Sequence, residues 1–247
     1  MEDQREPTAQ PPKVIPLKAK LSPEAAREWN ETMEAGVKAQ QLIKEAVVVG
    51  GTASALYAGH RISFDTDHLL TSLPENFDEV LETLSQSSEW KTARTKRPVL
   101  ILGSINGVEV GFRQMRRSEP LETVTLETPY GKLVAPTLGE LIGMKAYLAY
   151  SRNATRDYLD FAALSECATE DLVLSSLLKL ERQYGELQTA SICLEVAKAL
   201  AQPEPYDLSA TDLSRYKALA PEWQDWKKTE EICRRYGLLL GEKIVEG

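Results

Sequence analysis

Asp65 and Asp67, separated only by Thr66, are the residues of this 247-residue chain whose type and spacing most directly suggest chemistry. The stretch Ile62-Ser63-Phe64-Asp65-Thr66-Asp67-His68-Leu69 alternates as a strand would, so Ser63, Asp65 and Asp67 share one face and both carboxylates point the same way. Their mutual repulsion is relieved when a hard divalent cation, naturally magnesium, sits between them. Fourteen residues before Asp65 stands Gly51, the second glycine of Gly50-Gly51-Thr52. Glycines there let a phosphate approach the backbone, and Thr52 opens a helix whose free N–H groups and dipole favour anions. One element would hold a triphosphate and the other its metal. Singly, a double glycine is usually a tight turn and Asp-x-Asp usually solvated surface; the joint pattern is the informative one.

These residues need elements to place them. Residues 46–49 form a short β-branched run, and the small residues from Thr52 to Tyr57 suit a closely packed helix. Ser22-Pro23-Glu24 reads as a capped helix start, with the helix running to about residue 45. Helical spacing covers residues 74–87. Residues 99–102 and 108–112 read as strands joined through Asn106-Gly107, a hairpin signal, and residues 124–126 and 133–134 as a second pair around Tyr130-Gly131. Beyond Pro136 long helical patterns dominate, at about 137–151, 154–167, 169–184, 187–201 and 221–236. The expectation is an α+β fold: a tail over residues 1–20 that is proline-rich and flexible, a core over 21–136, and a helical domain over 137–247.

Composition narrows the classes further. Hydrophobic residues are 43% of the chain, and no apolar run approaches the roughly 18 to 20 residues needed to cross a bilayer. The start lacks the basic and then apolar stretch of a secretory signal, so a cytoplasmic protein with no membrane role is expected. Cys167, Cys193 and Cys233 lie far apart and read as reduced core thiols. A formal charge of −8 argues against indiscriminate coating of nucleic acid. Two local basic clusters remain: Lys91, Arg94, Lys96 and Arg97 before the 99–112 hairpin, and Arg113, Arg116 and Arg117 after it.

Gly50-Gly51-Thr52-Ala53, Leu56, Gly59-His60-Arg61, Ser63 and Asp65-x-Asp67 together resemble the polymerase-β-like nucleotidyltransferase superfamily and, within it, the AbiEii/AbiGii toxin branch. A second block, Leu138 to Ala146 with Lys145, then Arg152, Arg156-Asp157-Tyr158 and Asp160, is similar to the Lys-containing and Arg-Asp-x-x-Asp regions of that branch. The resemblance covers about residues 46–165. It implies a nucleotidyltransferase-fold mixed sheet with flanking helices, followed by a C-terminal helical bundle. It also implies transfer of a nucleoside monophosphate from an NTP to an acceptor hydroxyl, with RNA, and tRNA above all, as acceptor, in a toxin of a type IV toxin–antitoxin or phage-defence system with an antitoxin partner. By the same carry-over Asp65 and Asp67 hold Mg2+, Gly50, Gly51 and Thr52 receive the terminal phosphates, and Lys145 with Asp157 completes the nucleotide site. Alternatives are nucleotidylation of a protein or small molecule, and a non-catalytic member that binds a nucleotide or a partner.

Each residue also has a plainer reading. Lys145 borders the inward stripe Leu141, Met144 and Leu148 and could snorkel to the surface. Arg61 would contact phosphate or pair with Asp65 or Asp67. Asp160 could brace Arg152 or Arg156. His68 should face away from the carboxylates as a packing or surface histidine, and His60 is a loop residue without assigned chemistry. The superfamily's third carboxylate is the main departure. Alternation over Val108-Glu109-Val110-Gly111-Phe112 puts Glu109, Gly111 and Arg113 on one face, with glycine where the acid is expected. Glu109 is then either a displaced metal ligand or a solvent-facing strand residue.

Overall fold

The computed structural model describes residues 14–18, 21–117, 119–187 and 190–246. Most of the tail expected over residues 1–20 lies outside them. Val14 to Lys18 do not hang free: Ile15 N–H donates to the Leu56 carbonyl and Lys18 N–H to that of Gly59.

The first helix, α1 (Pro23–Leu42), starts where the sequence places it, with the Ser22 hydroxyl accepting from Ala25 N–H and proline in the first turn. The chain then forms β1 (Val47–Val49), α2 (Gly50–Ala58), β2 (Asp65–Leu70), α3 (Phe77–Gln86), β3 (Trp90–Lys96), β4 (Leu100–Ile105) and β5 (Val108–Gln114). The five strands make one mixed sheet in the order β1-β2-β5-β4-β3, in which only the β2–β5 pair is parallel. A separate hairpin, β6 (Thr123–Thr128) and β7 (Gly131–Pro136), follows. The Gln40 side chain clamps it to α1, donating to the Val134 carbonyl and accepting from Val134 N–H.

Period-two alternation divides the sheet into two chemically different faces. On one, Leu70, Ile101, Ile105, Val110, Phe112 and Trp90 are buried against Ala35 and Ala39 of α1, Ile43 just beyond it, and Phe77, Val80 and Leu84 of α3. His68 belongs to this face, fully buried and stacked on Phe112 with ring centroids 5.3 Å apart. The other face carries the polar residues of β2, β5, β4 and β3. Strand β3 has no counterpart among the strands expected from sequence. Its side chains beyond Trp90 are all exposed, so no apolar alternation betrays it.

The C-terminal half consists of α4 (Leu138–Arg152), α5 (Thr155–Ser165), α6 (Glu170–Leu178), α7 (Leu180–Tyr184), α8 (Ile192–Ala201) and α9 (Trp226–Glu246), with short 3-10 turns. Thr137 caps α4 by accepting from Glu140 N–H, and Asn153 ends it in the left-handed region at φ 51°. The stretch read as one helix over residues 169–184 divides at Lys179. The two halves share one apolar cluster in which Val48, Val49 and Leu56 pack with Leu141, Phe161, Val196 and Leu240. The segment Leu219–Ala220 also docks on the loop before β2, where Ala220 N–H donates to the His60 carbonyl. No helix among the described residues is long and apolar enough to cross a membrane.

The buried anchor of the charged edge strand is Trp90, which lies over Gly103 of β4 so closely that a Cβ there would overlap the indole ring and stand 2.6 Å from the Lys91 carbonyl oxygen. Gly103→Ala should therefore destabilise the chain by about 1–3 kcal/mol. Urea denaturation followed through tryptophan fluorescence measures this, and an unchanged midpoint would show that β3 shifts without cost.

Candidate functional site

The glycine turn and the two aspartates meet. Gly50 begins α2 with φ +70°, a backbone region open to glycine, and a Cβ placed on it would stand 3.7 Å from Asp67 Oδ2. Strand pairing sets this contact, since Val49 is in register with Asp67 on the antiparallel neighbour. Thr52 joins the same two elements from below: its hydroxyl is buried and donates to the Asp65 carbonyl at 2.7 Å. Thr52 thus fastens the first turn of α2 to the start of β2. Any anion on that turn would meet backbone N–H groups, because the first N–H groups of a helix lack intrahelical acceptors.

Both carboxylates lie on the polar face, partly buried, and each has one oxygen engaged. Ser63 Oγ donates to Asp65 Oδ1 at 2.6 Å, and Arg113 Nε donates to Asp67 Oδ1 at 3.0 Å. Burial pushes the Asp65 carboxyl upward, but the Ser63 hydrogen bond with Lys217 and Arg61 outweighs it and leaves Asp65 below the ordinary value. The parallel register puts Glu109 beside Asp65 and Gly111 beside Asp67. A Cβ on Gly111 would stand 2.5 Å from Asp67 Oδ1, so Asp67 occupies the room a side chain at 111 would need. Glu109 is exposed on the same face. Among the described residues no group of three or more His, Cys, Asp or Glu is close enough to hold a metal ion.

Arg61, Lys145, Asp157 and Asp160 form a separate layer behind the turn. Arg61 pairs with neither Asp65 nor Asp67; it forks onto Asp160, with Nε 2.7 Å from Oδ1 and Nη2 2.8 Å from Oδ2. Its guanidinium also passes directly under the turn, where a Cβ on Gly51 would stand 2.8 Å from Nη2. Lys145 does not snorkel. Only 4% exposed, its ammonium lies 2.7 Å from Asp160 Oδ2 and 3.3 Å from Asp157 Oδ1. His60 completes the cluster through Nε2, 2.8 Å from Asp160 Oδ1. Asp160 therefore braces Arg61, Lys145 and His60, and neither Arg152 nor Arg156. Arg152 lies instead within electrostatic reach of Asp157 and Asp67.

The basic clusters sort onto different surfaces. Register aligns Lys91, Ser104, Glu109 and Asp65 in one row across the sheet, Arg94, Leu102, Gly111 and Asp67 in the next, and Lys96, Leu100, Arg113 and Leu69 in a third. Lys91, Arg94, Lys96 and Arg113 thus share the face of the carboxylates. Arg97 leaves the group, pairing with Asp78 in the first turn of α3, and Arg117 is buried against Glu140 at 2.7 Å. Two residues near the site escaped sequence reasoning: Lys217, whose ammonium is 3.9 Å from Asp65 Oδ1, and Tyr216, whose ring centroid is 6.0 Å from the Arg61 guanidinium. Nothing local marks them, because they arrive from about 150 residues downstream.

No known family profile matches the chain. Over 132 residues it is 28% identical to the mycolic acid-containing lipids exporter MmpL11 of Mycolicibacterium smegmatis, and over 116 residues 30% identical to the heme uptake protein MmpL11 of Mycobacterium tuberculosis. These matches cover 52% and 46% of this chain but only 13% and 12% of the transporters. Among solved structures it is similar to an antigenic nucleotidyltransferase-like protein from Paracoccidioides brasiliensis, at 16% identity and a TM-score of 0.44, over 64% of this chain and 90% of that one. A nucleotidyltransferase candidate from H. pylori is similar at 16% identity and a TM-score of 0.45, over 92% and 98% of the two chains.

Burial alone would raise the Asp160 carboxyl, but Arg61, then Lys145 and His60, reverse the effect and hold it well below its ordinary value. Burial lowers the His60 imidazole below its ordinary value, against the upward pull of Asp160. Because the folded value of Asp160 lies below the unfolded one, its ionised form stabilises the fold above the unfolded value near 3.8, and that contribution is lost as the pH falls toward the folded value. Asp160→Asn should cost about 3–5 kcal/mol at neutral pH, since Arg61 and Lys145 would stay buried without their shared anion. Below about pH 4 the variant should lose less further stability than the wild type. Denaturant titrations from pH 7 to pH 3 measure both quantities.

Proposed function

We propose that the chain is a magnesium-dependent nucleotidyltransferase that moves a nucleoside monophosphate from an NTP to an acceptor hydroxyl. The observation carrying this reading is the apposition of an anion-receptive glycine turn and a paired carboxylate, with Gly50 in contact range of Asp67. The donor set suits the ion. Asp65 and Asp67 offer hard oxygens, and magnesium is held by one or two carboxylates while phosphates and water fill its other positions. When bound there, Mg2+ would neutralise phosphate charge and polarise the phosphorus under attack.

The chain's own groups would do the rest. Backbone N–H groups of Gly50, Gly51 and Thr52 would receive the terminal phosphates, with the Arg61 charge directly beneath. Lys145, Asp157 and Asp160 would keep that charge in place rather than touch the reacting atoms. In the transfer the acceptor oxygen bonds to the α-phosphorus, the α–β bridging P–O bond breaks, and its electron pair leaves on pyrophosphate. The acceptor proton passes to solvent. Glu109, in register with Asp65, is the available stand-in for the third carboxylate that Gly111 cannot supply.

RNA is the acceptor that the charge on this surface favours, and tRNA, which the sequence resemblance implies, is its preferred form. Lys91, Arg94 and Lys96 lie three strand spacings from the aspartates, about 14 Å, on the same open face. Among the described residues none of the three has a carboxylate partner. In a chain of net charge −8, unpaired cations gathered on the active face favour a polyanion. A toxin role held in check by an antitoxin stands as part of this reading. One observation favours a second reading, nucleotide binding without transfer: Gly111 removes a carboxylate, and Arg113 already engages Asp67.

Incubation with magnesium, each α-labelled NTP and either total tRNA or cell protein tests the reaction and the acceptor together. Label should enter RNA in the wild type and be lost, by at least about a thousandfold, in Asp65→Ala and in Asp67→Ala, both remaining folded. Retained labelling in both would refute the metal assignment, and NTP binding without any transfer would establish the second reading. Replacing Lys91, Arg94 and Lys96 together by Glu should weaken RNA labelling by about tenfold or more and flatten its salt dependence, with NTP affinity unchanged. Equal RNA labelling by that variant would remove the track.

A further inference from the structure

We infer that Lys217, delivered by the C-terminal half, is the cation that meets the phosphates of the incoming NTP. The inference rests on the proposed nucleotidyl transfer and names a ligand for it that lies outside the block carrying the sequence resemblance. Three cations of the resembling block that lie closest to the turn or its aspartates are committed. Arg61 and Lys145 are only 2% and 4% exposed and are satisfied by Asp160 and Asp157. Arg113 donates to Asp67. Lys217 is different: 30% exposed, its ammonium stands 3.9 Å from Asp65 Oδ1, beyond hydrogen-bond range, and 5.8 Å from the centroid of the Phe64 ring. It reaches the start of β2 and has donors left to give.

The backbone supplies an independent observation. Lys217 and Ala218 both lie in the left-handed region, at φ 44° and 50°, where two successive residues with a Cβ are unfavourable. Three hydrogen bonds hold them there: Leu219 N–H to the Tyr216 carbonyl at 2.7 Å, Ile62 N–H to the Lys217 carbonyl at 3.0 Å, and Ala220 N–H to the His60 carbonyl at 2.7 Å. Strained backbone retained by its surroundings clusters at active sites and ligand clamps. Here the twist turns residues 216 and 217 to the two layers of one site, Tyr216 toward Arg61 and Lys217 toward Asp65. An ammonium 3.9 Å from Asp65, whose carbonyl accepts from Thr52 of the glycine turn, would neutralise the charge that collects on pyrophosphate as the α–β bond breaks.

Lys217→Asn tests the assignment, because asparagine tolerates the left-handed backbone and removes the charge; Lys217→Arg restores a cation. Calorimetric titration with the four NTPs as non-hydrolysable α,β-methylene analogues, in magnesium, should show an affinity loss of about tenfold or more in Lys217→Asn. Lys217→Arg should recover most of it, and the matching nucleosides should bind both variants as they bind the wild type. Unchanged analogue affinity and unchanged labelling kinetics in Lys217→Asn would overturn the assignment while leaving the proposed reaction standing. So would equal losses for nucleosides and triphosphates, which would mark a structural role. If the wild type binds no analogue, the proposed function fails first and the Lys217 assignment with it.

Discussion

The architecture turns on one buried carboxylate. Asp160, on α5, is the common partner of Arg61 and His60 from the loop before β2 and of Lys145 from α4. A group of this kind is costly to bury alone and favourable only when its partners are all present. The cluster therefore requires that the sheet half and the helical half be docked before its charges are balanced. That docking presses Arg61 against the turn and sets the floor of the site. It also explains why the apolar core runs through both halves: the ionic layer is closed on every side by packing, and Trp223 stands edge-on to His60 at 6.3 Å.

Above that floor the site depends on missing side chains as much as on present ones. Gly51 leaves room for the Arg61 guanidinium, and Gly111 leaves room for Asp67. A carboxylate at 111 and the present pose of Asp67 are mutually exclusive. The acid that β5 does carry on this face, Glu109, lies two residues nearer the hairpin and neighbours Asp65. The sheet's polar face then grades from acidic at β2 to basic at β3 over a short distance, a separation of charge that the net value of −8 conceals.

Much of this was legible in the chain. Alternation in β2 set both aspartates on one face and turned His68 away, and the same period in β5 placed Glu109, Gly111 and Arg113 together. The Ser22 cap and the Asn106-Gly107 turn also mark real boundaries. Local pattern could not show β3, because an edge strand with solvent on its face needs no apolar alternation and is guarded by lysine and arginine. Nor could it pair Arg61 with Asp160, 99 residues away, since either acid or base could have found a nearer partner. The same limit hid Lys217: its backbone conformation is disfavoured locally and exists only because the loop before β2 holds it.

The Arg113–Asp67 pair has a consequence for how such a pocket would be loaded. A guanidinium already shields one aspartate, so the folded chain stands without needing an ion to quench two like charges. On the proposed reading, Asp65 Oδ2 and Asp67 Oδ2, the oxygens that Ser63 and Arg113 leave open, would hold a divalent cation, and Arg113 would keep its bond to Oδ1. Loading would then add two positive charges to the site, which the accompanying triphosphate balances, while the arginine holds the carboxylate in its pose.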